Sequence, residues 1–223
     1  MVHFGLYFIP AQSKYYEIGS RILGYDIRAG EPLPCYDFIS PAWVHDARQY
    51  GFHITITDAL EIETQKLPNV VREVTKVLAC FPRNVRYIFE VEGVKFWNEN
   101  RCVLELRPNR SIELLHDVLV SRINPLGLRS AYSTAYEQRA LVSDSAAAAK
   151  IKLFYSPYIF DAFRPHFTYL YPFSGDLATQ QKLVSRLTAL LPKNDSLLFD
   201  RIALVVKFER DHYYRIYQEF TLS

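Results

Sequence analysis

Apolar and polar residues alternate along Tyr50-Gly51-Phe52-His53-Ile54-Thr55-Ile56-Thr57. Side chains of a strand point to opposite faces in turn, so Phe52, Ile54 and Ile56 share one face and His53, Thr55 and Thr57 the other. The pattern returns at Pro165-His166-Phe167-Thr168-Tyr169-Leu170, where His166 and Thr168 again share a face. The two histidines stand 113 positions apart in 223 residues, the spacing expected if two similar lobes each bring one strand to a common site.

Around these strands the periodicity predicts further elements. Phe4 to Ile9 reads as a strand, and Ser13 to Leu23 as a helix with Ser13 as N-cap and Gly24 as its stop. Gly30 to His45, rich in Pro and aromatics, reads as an ordered loop or lid. A helix over Leu67 to Ala79 carries the apolar stripe Val70, Val71, Val74, Val77 and Leu78. Val85 to Phe96 and Arg101 to Arg107 form a hairpin around Asn98-Glu99-Asn100, and a helix over Ser111 to Ile123 is ended by Pro125 and Gly127. From Gly127 to Lys150 only Ala146 to Ala149 shows a pattern, that of a helical turn. The chain then runs through a helix over Ala178 to Leu191 and a hairpin of Ser196 to Phe208 with Tyr213 to Leu222. Strand, helix, strand, strand follows each histidine strand, with the first hairpin completing the first lobe. The expected class is therefore α+β, a single bilobal duplicated domain over 1–223 in which two antiparallel sheets, flanked by helices, meet at a central groove.

Composition narrows the partners. With 49% hydrophobic and 15% aromatic residues the chain buries a sizeable core, and a net charge of +2 from 26 basic and 24 acidic residues gives no broad field for gripping long nucleic acid or an anionic membrane. A small anionic ligand fits that balance better. Cys35, Cys80 and Cys102 are odd in number and lack metal-ligand spacing, which points to a reducing compartment and to neither a disulfide framework nor a zinc site. Val2 to Ile9 is apolar but short, has no basic leader and runs into Pro10. It suits a first strand better than a signal peptide, and with no run of about 18 apolar residues the expected location is cytoplasmic.

Two histidines facing one groove suit a reaction in which one proton is taken and another given. Thr55 and Thr168 add hydroxyls beside them, and such a cradle fits a phosphodiester whose non-bridging oxygens gain charge in the transition state. No carboxylate or thiolate stands at ligand spacing beside either histidine, so no metal and no cofactor is expected. Arg164 lies two places before His166 on the same face, either to meet a phosphate or as a solvated strand-end cation. Tyr7, Tyr50 and Tyr158 either line the groove or belong to the core. His3, His45, His116 and His212 have no sequence partner and read as structural or surface residues.

At His53-Ile54-Thr55 and His166-Phe167-Thr168 the chain resembles the two-histidine (2H) phosphoesterase superfamily, whose hallmark is a pair of such His-x-Thr strands. It is similar more narrowly to that superfamily's phosphonate-metabolism branch through Leu6-Tyr7-Phe8-Ile9-Pro10, Gly19-Ser20-Arg21, Leu23-Gly24, Tyr50-Gly51-Phe52-His53, Pro157-Tyr158 and Phe163-Arg164. The resemblance implies a bilobal fold with one His-x-Thr strand from each lobe. It also implies metal-independent action on a small cyclic phosphate, nucleoside 2′,3′-cyclic or ribose cyclic, with His53 and His166 as acid and base and Thr55 and Thr168 on phosphate oxygens. The alternatives are a ligase or phosphodiesterase for 2′,5′-linked RNA ends, with short RNA ends as partner, and a nucleotide-binding module without turnover. Two departures stand out: Thr57 where the branch commonly has Lys, and Pro165 in place of an aromatic.

Overall fold

The two continuous apolar runs Ile202 to Val206 and Cys102 to Leu106 lie inside sheets, and the two alternating histidine strands lie at edges. Ile202 to Val206 and Cys102 to Leu106 are buried throughout, Glu105 included, whereas the two histidine strands bury every second residue near their starts. The computed structural model describes residues 1–222 apart from 12, 83–84, 129–133, 137–144 and 194–195. Most of the pattern-poor stretch after Gly127 thus lies outside the described residues.

The strands are β1 (Val2–Phe8), β2 (Tyr25–Asp26), β3 (Glu31–Pro32), β4 (Ile54–Ile62), β5 (Ile88–Trp97), β6 (Arg101–Pro108), β7 (His166–Leu170), β8 (Ser196–Leu198), β9 (Arg201–Phe208) and β10 (Arg215–Thr221). One antiparallel sheet has the order β10-β9-β1-β4 and the other β7-β6-β5-β8, while β2 and β3 form a short ribbon. Each histidine strand is therefore an edge strand, β4 beside β1 and β7 beside β6.

Sheet membership corrects the expected lobes. The hairpin β5–β6, which follows the first histidine strand, pairs with β7, and the hairpin β9–β10, which follows the second, pairs with β1 beside β4. Ser196 to Phe208 is likewise not one strand. β8 pairs with β5, and the chain changes sheets at Phe199-Asp200 before entering β9. Phe199 marks the crossing: it is 1% exposed and packs 4.9 Å from Phe8 of one sheet and 5.4 Å from Phe89 of the other.

Helices cover the sheets and carry the caps read from sequence. In α1 (Lys14–Leu23) the Ser13 side chain accepts from the Tyr16 N–H, and Gly24 ends the helix at φ +71°. After α2 (His45–Arg48) come α3 (Leu67–Ala79) and α4 (Arg110–Ile123), the latter capped by Asn109. The Ala146 to Ala149 turn belongs to a longer helix, α5 (Ser145–Phe154), and α6 is Leu177–Leu190. The segment before β4 is ordered through backbone bonds to the end of β7: Asp46 and Ala47 donate to the Tyr171 carbonyl, and Tyr171 donates to that of Trp43. No described helix is long and apolar enough to cross a membrane.

The two edges meet through aromatic rings. Phe52, just before β4, is fully buried and stacks on Phe167 at 4.1 Å and an interplanar angle of 12°, with Tyr169 at 5.9 Å. On its far side lies Gly19 of α1, where a Cβ would fall 2.1 Å from the Phe52 ring. Only a glycine lets the helix approach so closely.

Candidate active site

His53 stands just before β4 and Thr55 near its start, His166 and Thr168 open β7, and all four line one groove of about 1060 Å³. The expected phase holds at Phe52, Ile54 and Ile56, which are buried, and at His53 and Thr55, which are half-buried. It fails at Thr57. The β1–β4 register is irregular on both sides of Leu6, and Thr57 turns inward to 1% exposure, its Oγ1 accepting from the Leu6 N–H at 3.0 Å. A bulge has re-aimed the strand. Thr57 satisfies an orphaned backbone donor, and the side chain that lines the groove after Thr55 and Ile56 is that of Asp58, whose carboxyl is pushed up by burial, with Ser156 opposing the shift.

The two imidazoles are held by one device. His53 Nδ1 lies 2.9 Å from the carbonyl of Gly51, and His166 Nδ1 lies 2.8 Å from that of Arg164, each two residues upstream. A carbonyl only accepts, so Nδ1 carries the hydrogen in both rings and Nε2 is left with its lone pair. At His53 that lone pair accepts from the Thr55 hydroxyl at 3.2 Å. Gly51 takes φ +66° to present its carbonyl, and a Cβ there would meet Ile27 at 2.6 Å. The His53 ring lies flat on Tyr7, with centroids 3.9 Å apart, and the His166 ring packs on Trp97 at 4.4 Å.

Burial pushes both histidines down to about 4; the carbonyl bonds oppose it. The charge of His166 acts on His53 in the same downward sense, and those of Arg101 and Arg164 on His166. Both rings are therefore neutral near pH 7, and an anion between them would raise either one. His116 is also pushed down to about 4 by burial. Since an unfolded histidine titrates near 6.5, the unfolded chain takes up protons below about pH 6.5 that these three folded residues refuse until about pH 4. Stability should thus fall with pH across that window, read as a lower melting temperature at about pH 5 than at about pH 7. A level melting temperature would contradict the burial.

The remaining expected residues sit around this pair. Tyr7 is 2% exposed and backs the His53 ring, so it is both core and lining. Tyr50 lies 6.1 Å from the His53 ring and stacks on Tyr214 at 5.0 Å, while Tyr158 lines the groove at 59% exposure. Arg164 lines it too, but as neither of the alternatives alone: its guanidinium bonds Glu105 at 3.0 Å and lies 4.7 Å over Trp97. Glu105, buried beside His166 in the β6–β7 register, also takes Lys95. Of the other histidines, His45 and His212 are exposed. His116 lines the groove, but both its nitrogens are occupied, by the Ile56 carbonyl at 2.9 Å and the Phe160 N–H at 3.2 Å, so its role is structural as expected.

Trp97, Arg101 and Tyr171 line the groove without having been singled out. Trp97 and Arg101 pair across the hairpin turn, where Asn98 and Glu99 adopt φ +49° and +61°. The turn was legible, but nothing local says that this hairpin joins the sheet of His166. Among the described residues no three His, Cys, Asp or Glu side chains converge as a metal site would require.

No protein-family model matches the chain, and no curated protein matches it in sequence. Solved structures match in fold. E. coli LigT complexed with 3′-AMP aligns at TM-score 0.50 and 16% identity over 100% of this chain and 98% of that one. LigT complexed with phosphate aligns at TM-score 0.50 and 15% identity over 99% and 97%. Kluyveromyces marxianus Usb1 aligns at TM-score 0.44 and 11% identity over 99% and 97%. At these identities the likeness to LigT shows the fold, and the expected α+β class with antiparallel sheets is what the chain adopts.

Proposed function

We propose that the chain is a two-histidine phosphoesterase that hydrolyses a small cyclic phosphodiester without a metal, and that within the superfamily it belongs with the phosphonate-metabolism branch it resembles. The observation that carries the reading is the matched pair of imidazoles lining one groove, each with Nδ1 bound to the carbonyl two residues upstream, and with Nε2 of His53 held by the Thr55 hydroxyl. The LigT fold, seen in that protein with phosphate and with 3′-AMP, supports a ligand of this size.

In this reading one Nε2 takes a proton from water as its oxygen attacks phosphorus. The other imidazole, charged once the anion is seated, gives its proton to the leaving ester oxygen as that P–O bond breaks. The Thr55 and Thr168 hydroxyls donate to non-bridging oxygens as charge grows on them. A second reading, action on 2′,5′-linked RNA ends, is favoured by the volume of about 1060 Å³, which exceeds what one ribose cyclic phosphate fills.

The test is hydrolysis of nucleoside 2′,3′-cyclic phosphates, ribose 1,2-cyclic phosphate and a 2′,5′-linked dinucleotide with excess chelator present. Turnover of a cyclic phosphate under chelation is expected. Binding of every member with turnover of none would make the groove a nucleotide-binding module, and activity restored by one metal would overturn metal independence.

A further inference from the structure

Two aromatic residues of the segment between α5 and β7 stand in the left-handed region, Tyr155 at φ +65° and Phe160 at φ +57°. A bulky side chain takes that conformation only where its surroundings hold it there, and such residues gather at functional sites. Their segment supplies Tyr158, Ile159, Ala162, Phe163 and Arg164 to the groove. At Phe160 the holding group is His116 of α4, whose Nε2 accepts from the Phe160 N–H at 3.2 Å.

His116 is 2% exposed, and its other nitrogen reaches the opposite wall, where Nδ1 donates to the Ile56 carbonyl at 2.9 Å. Because β4 is an edge strand, a carbonyl on its outer side has no neighbouring strand to bond. One imidazole thus joins the strand of Thr55 to the segment ahead of His166 and satisfies a polar group on each. The Phe163 ring lies flat on it, with centroids 3.8 Å apart and an interplanar angle of 10°. The next residue is Arg164, and its carbonyl is the one that holds His166 Nδ1 at 2.8 Å. From the other side the segment is tied to β6, by the Leu106 N–H on the Pro165 carbonyl and by Glu105 on the Arg164 guanidinium. The Gly51 carbonyl that holds His53 is set by a local turn instead, in which the Gly51 N–H donates to the Arg48 carbonyl.

We infer that His116 is a positioning residue for His166: it fixes the segment from Phe160 to Arg164 against β4, so that the Arg164 carbonyl meets His166 Nδ1 and leaves Nε2 with its lone pair. Without that carbonyl the ring is free to carry its hydrogen on Nε2, and an imidazole in that tautomer takes up no proton there. The effect on rate rests on the proposed reading of the histidine pair. The effect on the tautomer of His166 does not.

The experiment reads the ring nitrogens of His53 and His166 by NMR at neutral pH, together with kcat, KM and melting temperature. His116→Phe keeps a ring against Phe163 and deletes both hydrogen bonds, His116→Gln keeps a donor and an acceptor, and His116→Asn keeps a donor near Ile56 but is too short to reach Phe160. In the unaltered protein both rings should carry the hydrogen on Nδ1. In His116→Phe and His116→Asn, His166 should lose that preference while His53 keeps it, and kcat on a cyclic phosphate should fall by about 10- to 100-fold with KM little changed, the size of effect a small misplacement brings. His116→Gln should restore both. Should His116→Phe fail to fold, the contrast between His116→Asn and His116→Gln carries the test. An unchanged His166 tautomer in His116→Asn overturns the positioning role, as does an equal change at both rings or a rate that falls only as far as the folded fraction. If the unaltered protein turns over no cyclic phosphate, the hydrolase reading fails, while a tautomer change confined to His166 still supports the positioning role.

Discussion

Alanine in place of His53 or His166 should lower kcat by about 10²–10⁴-fold while the protein still folds, because under the proposed mechanism each substitution deletes one proton-transfer group from the transition state. The two rings are held alike, Nδ1 to a carbonyl at 2.9 and 2.8 Å, so neither has an obvious substitute in the groove. His116, the other imidazole lining it, has both nitrogens bonded and is not available to take over. Because both residues serve one proton circuit, the double variant should be little slower than the slower single one. Valine at Thr55 or Thr168 should cost less, about 10- to 100-fold, the loss of one neutral donor. Steady-state rates on a cyclic phosphate that the unaltered protein hydrolyses provide the measurement. Full activity in either single histidine variant would remove that residue from the mechanism.

Phe52→Ala should destabilise the protein by about 3–5 kcal/mol, the range for removing a fully buried aromatic ring. Here the ring has three neighbours from three elements: Phe167 of β7 at 4.1 Å, Tyr169 at 5.9 Å, and the backbone of α1 at Gly19. None can close over the vacancy without moving a strand edge. The same ring, on the residue before His53, packs on the strand that carries His166, so the variant should lose rate beyond what its unfolded fraction explains. Denaturant unfolding and rate are to be measured on the same sample. A loss below about 1 kcal/mol would show that the edges hold together without this contact.

How much of this was legible depended on how local the cause was. Ser13, Gly24 and the turn at Asn98-Glu99-Asn100 act within a few residues, and each does what its type dictates. The phase of His53 and Thr55 was legible because strand alternation is local too. Thr57 was not, since its inward turn comes from a register irregularity against β1, some fifty positions away. Which sheet each hairpin joins was hidden for the same reason: the partners are chosen by packing between distant segments, and hairpin β5–β6 has the same internal pattern whichever histidine strand lies beside it. Arg101 escaped notice because its place in the groove follows from that choice.

The sheet crossing has a consequence for how the chain comes together in time. Val2 pairs on one side with Ile62 and on the other with Phe208. During synthesis the strand carrying His53 emerges early and finds β1 early, yet the second neighbour of β1 leaves the ribosome some 140 residues later. Contacts so far apart in the chain are slow to form. A nascent protein that already displays both His-x-Thr strands still has a one-sided sheet under the first of them. The sheet behind His53 should therefore be completed late, with the arrival of β9 and β10, after both histidines have long been made.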